Sequence, residues 1–316
     1  MTPPRNAPAG LALLCRDVAH RTGIPVEHVV KDFWITEALR VMASTATAEG
    51  IHLVFKGGTS LSKGYRIIHR FSEDIDLLCV GAGGADATHS VMRRLHETVA
   101  DHLGVPANVD AGRSTHGRFR PAQYAYPGQQ LLAGETPGVI RVELSTWGGA
   151  LPSEVKCLRS LVAEHSLKAP TWLGNDVTSG FDITVLRPER TLVEKLVILH
   201  DAATSGDEQR LRRTARHYYD IWCLLGHQQT VQRLSGDAVV VLANEVFVHN
   251  TSTKSQATHR RPTGGFARSA AFAGSGPKTA RNEYSRRVVD RLIWPVAVQP
   301  TFDECLARVR QCASLL

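Results

Sequence analysis

The spacing of apolar residues predicts two helices early in the chain. In LALLCRDVAHRT (11–22) and VEHVVKDFWITEALRVMASTA (26–46), apolar positions recur at helical intervals, and Gly23-Ile24-Pro25 separates the two stretches. This period is typical of helices that bury one face. We therefore expect both helices to pack on a common core.

The region from Val54 to Cys79, VFKGGTSLSKGYRIIHRFSEDIDLLC, changes pattern along its length. An apolar pair is followed by a glycine turn at 57–58, then by a helical segment that ends near His69, and then by an alternating run at 74–77. This order predicts a strand, a turn, a helix and a second strand.

The second of these strands carries two aspartates. Because side chains alternate along a strand, Asp74 and Asp76 share one face, and Ile75 and Leu77 share the other. Two neighbouring carboxylates repel each other unless a cation lies between them. The pattern indicates either a metal site or a solvated strand edge that carries two acids.

The turn before the aspartates has the features of a phosphate site. Glycine lets the backbone approach a ligand closely, and the first N–H groups of the following helix can bind an anion. Positive charges and hydroxyls lie at the same place, so the candidate nucleotide-binding residues are Lys56, Gly57, Gly58, Thr59, Ser60 and Lys63. A P-loop is excluded, because the residue before Lys63 is not glycine. A phosphate-binding turn followed by two aspartates suits a nucleoside triphosphate with its magnesium ion.

Two later segments carry further candidate residues. The alternating strand GVIRVELSTWG (138–148) places Arg141, Glu143 and Ser145 on one face. PERTLVEKLVILHDAAT predicts a helix that starts near Pro188 and places Lys195 inside an apolar run. A buried ammonium needs a partner or a task, so a salt bridge of Lys195 with Glu194 or Asp201 is one alternative.

Two segments are rich in basic residues. From Val109 to Tyr126, arginines alternate with aromatic residues, which indicates either stacking on single-stranded nucleic acid or the exposed side of a hairpin. The stretch from Asn250 to Asn282 has six Lys and Arg residues and no acid, and its polar composition predicts a long basic loop.

Composition bounds the class of protein. The 316 residues are 43% hydrophobic and 21% charged, which is ample for a core and two subdomains. The formal charge of +7 favours a polyanionic partner. No apolar run is long enough for a bilayer and there is no secretory signal, so we expect a cytoplasmic protein with no membrane partner. The six cysteines show no CxxC spacing, so we expect buried thiols.

The motif KGGTSLSK followed by RFSEDIDL resembles the signature of the AbiEii/AbiGii (MenT-like) toxins, which belong to the DNA polymerase beta type nucleotidyltransferase superfamily. The resemblance continues in HYYDIWCLL (217–225) and from Arg261 to Phe272, so it covers most of the chain. It implies an α+β fold: a mixed sheet flanked by helices over 1–184, then a mainly helical subdomain over 185–316 with the basic loop at about 250–282.

The resemblance also implies roles for single residues. Asp74, Asp76 and Glu143 would hold Mg²⁺, with Mn²⁺ as an alternative, and Lys195 would complete the catalytic set by contacting the triphosphate. Asp220 matches the last family motif and would belong to the nucleotide site, although it could equally pair with a nearby arginine. For Glu143, a cross-strand salt bridge is the alternative.

The function implied is that of a toxin restrained by a cognate antitoxin. Such a toxin transfers a nucleoside monophosphate from a nucleoside triphosphate, often a pyrimidine, to the 3′ end of tRNA, which blocks aminoacylation and translation. The alternatives are nucleotidyl transfer to a protein or to a small molecule such as an aminoglycoside, and a non-catalytic module that binds nucleotide or RNA.

Overall fold

A computed structural model gives the fold of the chain. It describes residues 8–72, 74–126, 138–165, 179–234, 236–253 and 258–316. These residues form two compact units. The first consists of those within Met1–Gly64, Ser72–Thr146 and Ser153–Val185, and the second of those within Tyr65–Phe71, Trp147–Pro152 and Leu186–Leu316.

The first unit is built on a mixed sheet, which has seven strands in the described part of the chain. They are β1 (His52–Lys56), β2 (Asp74–Val80), β3 (Asn108–Val109), β4 (Phe119–Ala125), β5 (Val139–Ser145), β6 (Ser153–Leu158) and β7 (Phe181–Leu186). Their order in the sheet is β3-β4-β5-β2-β1-β7-β6. The central strand β2 pairs antiparallel with β1 and parallel with β5.

Helices cover this sheet. Those described in the first unit are α1 (Pro8–Thr22), α2 (Val26–Ala48), α3 (Gly57–Lys63), α4 (Ala85–Leu103) and α5 (Leu161–His165). Helix α2 is buried along most of its length and contacts α1, α4, α5 and strands β1 and β5. The predicted α+β core, a mixed sheet flanked by helices, is confirmed.

Helix α3 ends at Lys63, whereas the sequence pattern predicted a helix to about His69. The following residues, Tyr65–Phe71, belong to the second unit. There, Phe71 N donates to the Leu292 carbonyl oxygen at 2.8 Å, and Arg70 pairs with Ile293 in an isolated antiparallel bridge. These contacts with residues more than 200 positions away hold residues 69–71 extended and override the helical pattern of the segment.

The second unit is mainly helical. Its described helices are α6 (Pro188–Thr204), α7 (Glu208–Thr214), α8 (Arg216–Gly226), α9 (Gln228–Gln232), α10 (Ala238–Thr253), α11 (Lys278–Glu283) and α12 (Phe302–Gln311), with a 3₁₀ turn at Phe266–Arg268 and a π-helix at Tyr284–Leu292. Helix α6 begins at Pro188, as its sequence predicts, and buries Leu192, Leu196 and Leu199.

The basic stretch from 250 to 282 is irregular over 258–277 apart from one 3₁₀ turn, as its composition predicted, but part of it is buried. Helix α10 continues to Thr253, and residues 254–257, which include Lys254, lie outside the described residues. Phe266 and Phe272 are fully buried, and Tyr218 Oη donates to the Ala271 carbonyl oxygen at 3.0 Å. The described part is folded, because these two aromatic side chains enter the core.

Across the described residues, none of the helices combines the length and apolarity that crossing a membrane would need. Cys15, Cys79, Cys223 and Cys305 are buried, Cys312 is half-buried and Cys157 is exposed.

Candidate active site

Three acidic residues lie side by side on one face of the sheet. In the parallel pair of β2 and β5, Asp76 lies opposite Glu143, and Asp74 lies opposite Arg141. Residues that are opposite each other in a ladder project to the same face, so the three carboxylates share it. All three side chains are half-buried, whereas the alternate residues between them are fully buried in the core.

Gly57 brings the turn against one of these carboxylates. Its φ of +78° lies in the region that favours glycine. A β-carbon built on this residue would lie 2.1 Å from Asp76 Oδ2, far inside van der Waals contact. Lys56, the residue before it, lies opposite Asp76 on β1. The turn and the aspartate strand therefore form one arrangement that only glycine permits at this position.

The hydroxyl groups of the turn make hydrogen bonds inside the first unit. Thr59 is buried, and its Oγ1 donates to the Asp74 carbonyl oxygen and lies 2.9 Å from Ser72 Oγ. Ser60 is also buried, and its Oγ donates to the Gly57 carbonyl oxygen at 3.0 Å. These bonds fix the start of β2 and the shape of the turn. Phosphate binding by Gly58, Thr59 and Ser60 stays a prediction.

Lys63 is held in an ion pair with Asp32 of α2. Its Nζ lies 2.6 Å from Asp32 Oδ1 and donates to the Arg159 carbonyl oxygen at 3.0 Å. Asp32 Oδ2 accepts a hydrogen bond from Leu161 N at 2.6 Å. The pair ties α2 to the ends of α3 and α5. Contact of Lys63 with a triphosphate stays a prediction, and it would require Lys63 to leave Asp32.

Two arginines contact the carboxylates on the sheet. Arg113 Nη2 lies 2.9 Å from Glu143 Oε1, and Arg141 Nη1 lies 4.0 Å from Asp74 Oδ1. Glu143 thus makes a salt bridge, which was the alternative to its role as a metal ligand.

The fit of these residues to a divalent cation is partial. In the part of the chain that the structure describes, no group of three His, Cys, Asp or Glu residues is placed to hold a metal ion. The ligand chemistry fits, because carboxylate oxygens are what Mg²⁺ and Mn²⁺ prefer and the register puts three on one face. A three-carboxylate site requires Glu143 to exchange Arg113 for the cation.

The remaining candidates, Lys195 and Asp220, meet in a buried cluster of the second unit. Lys195 Nζ lies 2.8 Å from Asp220 Oδ2. Arg70 forms a two-point ion pair with the same carboxylate, Nε to Oδ1 at 2.6 Å and Nη2 to Oδ2 at 2.8 Å. His217 Nδ1 lies 3.2 Å from Lys195 Nζ. Asp220 is 0% exposed, so it neutralises two cations out of contact with water.

Burial and charge set the protonation states in this cluster. Burial lowers the pKa of Lys195, and Asp220 opposes that effect. Burial and the neighbouring Lys195 lower the pKa of His217 to about 3, so its imidazole is neutral at pH 7. Burial alone would raise the pKa of Asp220, but Arg70 and Lys195 hold it well below its ordinary value. The cluster therefore contains a carboxylate that Arg70 and Lys195 stabilise in its ionised form, beside a neutral imidazole.

These contacts differ from the ion pairs that the sequence offered as alternatives, and contact of Lys195 with a triphosphate and a place for Asp220 in the nucleotide site stay predictions. Lys195 pairs with Asp220 rather than with Glu194 or Asp201. Asp220 pairs with Arg70, which is 150 residues away, rather than with the arginines that precede it in the chain. Arg70 and His217 were not predicted. Their signals were an arginine among apolar residues in RIIHRF and the histidine that begins the family motif HYYDIWCLL.

The arginine-rich hairpin from Val109 to Tyr126 does not offer its aromatic rings to a ligand. Phe119, Tyr124 and Tyr126 are buried. Arg113 is exposed and lies over the Phe119 ring at 5.6 Å. Base stacking on this hairpin is therefore excluded for these rings, and the exposed side of a hairpin is the interpretation that fits.

A mixed sheet that presents strand aspartates beside a glycine turn defines the class of protein as a nucleotidyltransferase. The sequence model of a family described as nucleotidyl transferase AbiEii toxin, type IV toxin–antitoxin system, matches residues 40–308. The chain belongs to this family, as its motifs predicted. It is a nucleotidyltransferase toxin of a type IV toxin–antitoxin system.

A solved structure has the same fold. The chain is similar to MenT4, a nucleotidyltransferase toxin from Mycobacterium tuberculosis H37Rv, with a TM-score of 0.58 and 20% sequence identity. The match covers 96% of this chain and 88% of that one. No curated protein sequence matches this chain significantly.

Proposed function

We propose that this toxin transfers a nucleoside monophosphate from a nucleoside triphosphate to the 3′ end of tRNA, in a reaction that depends on a divalent cation. The transfer blocks aminoacylation and so stops translation. A cognate antitoxin restrains the toxin, and both act in the cytoplasm. The preferred nucleotide is a pyrimidine. This preference rests on the family resemblance.

The observation that carries this proposal is the alignment of Asp74, Asp76 and Glu143 on one face, with Gly57 against Asp76. Three carboxylates on adjacent strands concentrate negative charge where a cation is needed to offset it. The approach of the Gly57 backbone would be unnecessary if Asp76 served only as a solvated surface residue. The geometry therefore supports a site in which turn and aspartates act together.

Each group of residues has a separate task in the proposed reaction. The turn at 57–60 positions the phosphates, and Thr59 holds the first residue of β2 through its bond to the Asp74 carbonyl. The acceptor's 3′ oxygen attacks the α-phosphorus, the bond from that phosphorus to the bridging oxygen breaks, and pyrophosphate leaves with its electron pair. The hydroxyl proton passes to a carboxylate or to solvent. Lys195, which pairs with Asp220 in this structure, would have to leave that partner to neutralise charge on the leaving pyrophosphate.

Asp74 and Asp76 would hold the cation, and Glu143 would join them on leaving Arg113. When bound, the cation supplies positive charge to the phosphates and favours ionisation of the attacking hydroxyl. Mg²⁺ is the expected ion and Mn²⁺ the alternative.

An RNA acceptor is supported by the distribution of charge. The second unit holds 21 of the 37 Lys and Arg residues but 12 of the 30 Asp and Glu residues, a net charge of +9, whereas the first unit has a net charge of −2. A polyanion gains affinity by releasing counterions to such a surface. A small acceptor would not need it.

The test is incubation of the purified toxin with total tRNA and each labelled nucleoside triphosphate in turn, with Mg²⁺, with Mn²⁺ or with a chelator. We expect label at the tRNA 3′ end that requires the cation. Asp74→Asn and Asp76→Asn should each reduce transfer about a hundredfold or more, since a metal contributes several kcal/mol and each ~1.4 kcal/mol is tenfold. Asp182→Asn, at an exposed aspartate of β7, is the matched control.

The same assay separates the alternative functions. Label that appears in protein or in an aminoglycoside, and never in tRNA, would replace the proposed acceptor. Binding of triphosphate without turnover by the unaltered toxin would identify a non-catalytic module. Transfer that survives both aspartate substitutions at the level of Asp182→Asn would contradict the proposed site.

A further inference from the structure

A short two-stranded ribbon in the second unit has one buried face and one partly exposed face. Phe71 N donates to the Leu292 carbonyl oxygen at 2.8 Å, and Trp294 N donates to the His69 carbonyl oxygen at 3.0 Å. These two bonds flank the antiparallel bridge between Arg70 and Ile293. The ribbon therefore consists of residues 69–71 and 292–294, whose side chains must alternate between two faces.

The inner face of the ribbon belongs to the core. Arg70 is 2% exposed and pairs with Asp220, and Ile293 is 5% exposed. Alternation sends the other four side chains, those of His69, Phe71, Leu292 and Trp294, to the outer face. His69 is exposed and the other three are half-buried. The His69 and Trp294 rings contact each other, with centroids 5.9 Å apart.

Exposed arginines lie near this ribbon in the sequence. Arg66 and Arg291, which are close in sequence to its two strands, are both exposed, and so are Arg286 and Arg287 of the helix that leads into the ribbon. Asp290 is the acid in that helix. Partly exposed aromatic rings with exposed arginines a few residues away suit unpaired nucleotides, since rings stack on bases and arginines contact phosphates.

Arg66 has an unusual backbone. Its φ of +55° is positive, and among the described residues it is the one residue other than glycine with a positive φ. A left-handed conformation costs a residue with a β-carbon free energy, and such strain is characteristic of residues that act in binding. Glycine would avoid this backbone cost, so the side chain of Arg66 provides something that offsets it.

We propose that the outer face of this ribbon binds unpaired nucleotides of the RNA acceptor, with bases stacked on His69 and Trp294 and phosphates held by Arg66 and Arg291. The proposal rests on the proposed function for the identity of the acceptor, but binding of RNA by this face is measurable without any transfer reaction. The specificity is for single-stranded segments, because the bases of a duplex are stacked on each other and are inaccessible to the rings.

The first experiment measures the affinity of the full-length toxin for a fluorescent single-stranded RNA octamer and for a blunt RNA duplex of equal charge. We expect tighter binding of the single strand. His69→Ala and Trp294→Leu should each weaken it about tenfold, as loss of a base-stacking ring does, while Trp294→Phe keeps most of the affinity. His249→Ala, at an exposed histidine of α10, should bind as the unaltered toxin does.

The second experiment uses the strain at Arg66. Arg66→Gly should raise the urea midpoint of unfolding and lower the affinity for single-stranded RNA. These opposite changes distinguish a binding role from a structural one, because a structural arginine would lower stability when removed. Arg66→Asn, which tolerates the left-handed region but carries no charge, should lose affinity to the same extent.

Three outcomes would overturn the proposal. Binding by His69→Ala and Trp294→Leu that stays within twofold of the unaltered toxin removes the stacking role. Equal affinity for the duplex removes the specificity for single strands. Loss of neutralisation by the cognate antitoxin with RNA binding unchanged identifies a protein-binding surface instead.

Failure of the proposed function gives a different result. If the unaltered toxin binds single-stranded RNA through this face and transfers no nucleotide to any RNA, the ribbon proposal stands and the transferase proposal fails. If transfer to tRNA occurs and the ribbon variants leave the KM for tRNA unchanged, the transferase proposal stands and the ribbon proposal fails. The KM for the nucleoside triphosphate should not change in His69→Ala, whichever acceptor is used.

Discussion

A hydrogen atom in place of a side chain at position 57 lets the turn approach Asp76. The positive φ alone would make glycine favourable there, and the 2.1 Å that would separate a β-carbon at this position from Asp76 Oδ2 makes it necessary. Gly81, at the end of β2, has a similar φ of +82° but nothing within 4 Å of a β-carbon. Alanine substitutions at these two glycines therefore distinguish the effect of backbone strain, which both cause, from displacement of the carboxylate, which only the one at position 57 causes.

Gly57→Ala should abolish nucleotide transfer, because the new methyl group displaces the Asp76 carboxylate. Gly81→Ala should retain transfer. Both should lose stability from the left-handed backbone, by about 1–2 kcal/mol. Urea unfolding and the tRNA transfer assay measure the two effects. Equal transfer by both variants would show that the position of Asp76 is unimportant.

Asp220 illustrates a residue whose partners lie far away in the sequence. It neutralises Arg70 and Lys195 in a fully buried cluster. Asp220→Asn leaves two buried cations with a neutral amide, and breaking a buried ion pair by removing one partner costs about 3–5 kcal/mol.

We expect this loss in the free energy of unfolding of Asp220→Asn, measured in urea at pH 7. Asp290→Asn, at an exposed aspartate of the second unit, should change it by less than about 0.5 kcal/mol. A loss below about 1 kcal/mol in Asp220→Asn would mean that the cluster rearranges or that water reaches it.

At the scale of elements, helix α4 is joined to strand β4 by a buried histidine. His96 Nε2 donates to the Arg120 carbonyl oxygen at 3.0 Å, which leaves Nδ1 as the acceptor for Tyr124 Oη at 2.6 Å. Burial lowers the pKa of His96 from 6.5 to about 4. The junction therefore requires a neutral imidazole.

This requirement predicts a dependence of stability on pH. Above pH 6.5 His96 is neutral in both states, whereas between pH 6.5 and 4 the unfolded chain binds a proton that the folded chain does not. Stability should fall across this window, by roughly 3 kcal/mol for this residue. Urea unfolding of the unaltered toxin and of His96→Gln at pH 7.5 and pH 4 measures the difference.

His96→Gln should lose less stability over this pH range than the unaltered toxin. His52→Gln, at an exposed histidine, controls for removal of an imidazole. The same loss in all three proteins would assign the pH dependence to other groups.

At the scale of the whole molecule, charge is divided unequally between the two compact units. The net charge of +9 on the second unit exceeds the +7 of the complete chain, because the first unit is slightly acidic. Long-range attraction of a polyanion therefore comes from the second unit, and salt weakens it by restoring counterions.

Binding of single-stranded RNA should weaken linearly on logarithmic axes as salt rises. The slope should become shallower by about 0.7 for each phosphate contact removed. We expect this change when exposed arginines of the second unit are replaced by glutamine, namely Arg212, Arg213, Arg286 and Arg287. The matched control replaces exposed arginines of the first unit, namely Arg16, Arg21, Arg93 and Arg118. Equal slopes in the two variants would contradict the division of charge.

Local patterns predicted much of the first unit and the start of one helix in the second. The apolar period gave α1 and α2, the alternation gave β2 and β5, and Pro188 marked the start of α6. These features follow from residues within a few positions of one another. The conformation of the segment 65–71 and the packing of the basic stretch at 258–282 into the core could not be predicted in this way. They depend on Leu292 and Trp294 in one case and on burial of Phe266 and Phe272 in the other.

For the candidate site, the sequence by itself predicted which residues carry the chemistry and determined which face of each strand they occupy, because alternation along a strand is a local property. Only the tertiary structure decided that Asp76 lies opposite Glu143, that Asp32 holds Lys63 and that Arg70 pairs with Asp220. Strand register and buried ion pairs are set by which distant groups must satisfy each other's hydrogen bonds and charge on folding. No spacing along the chain encodes those partners.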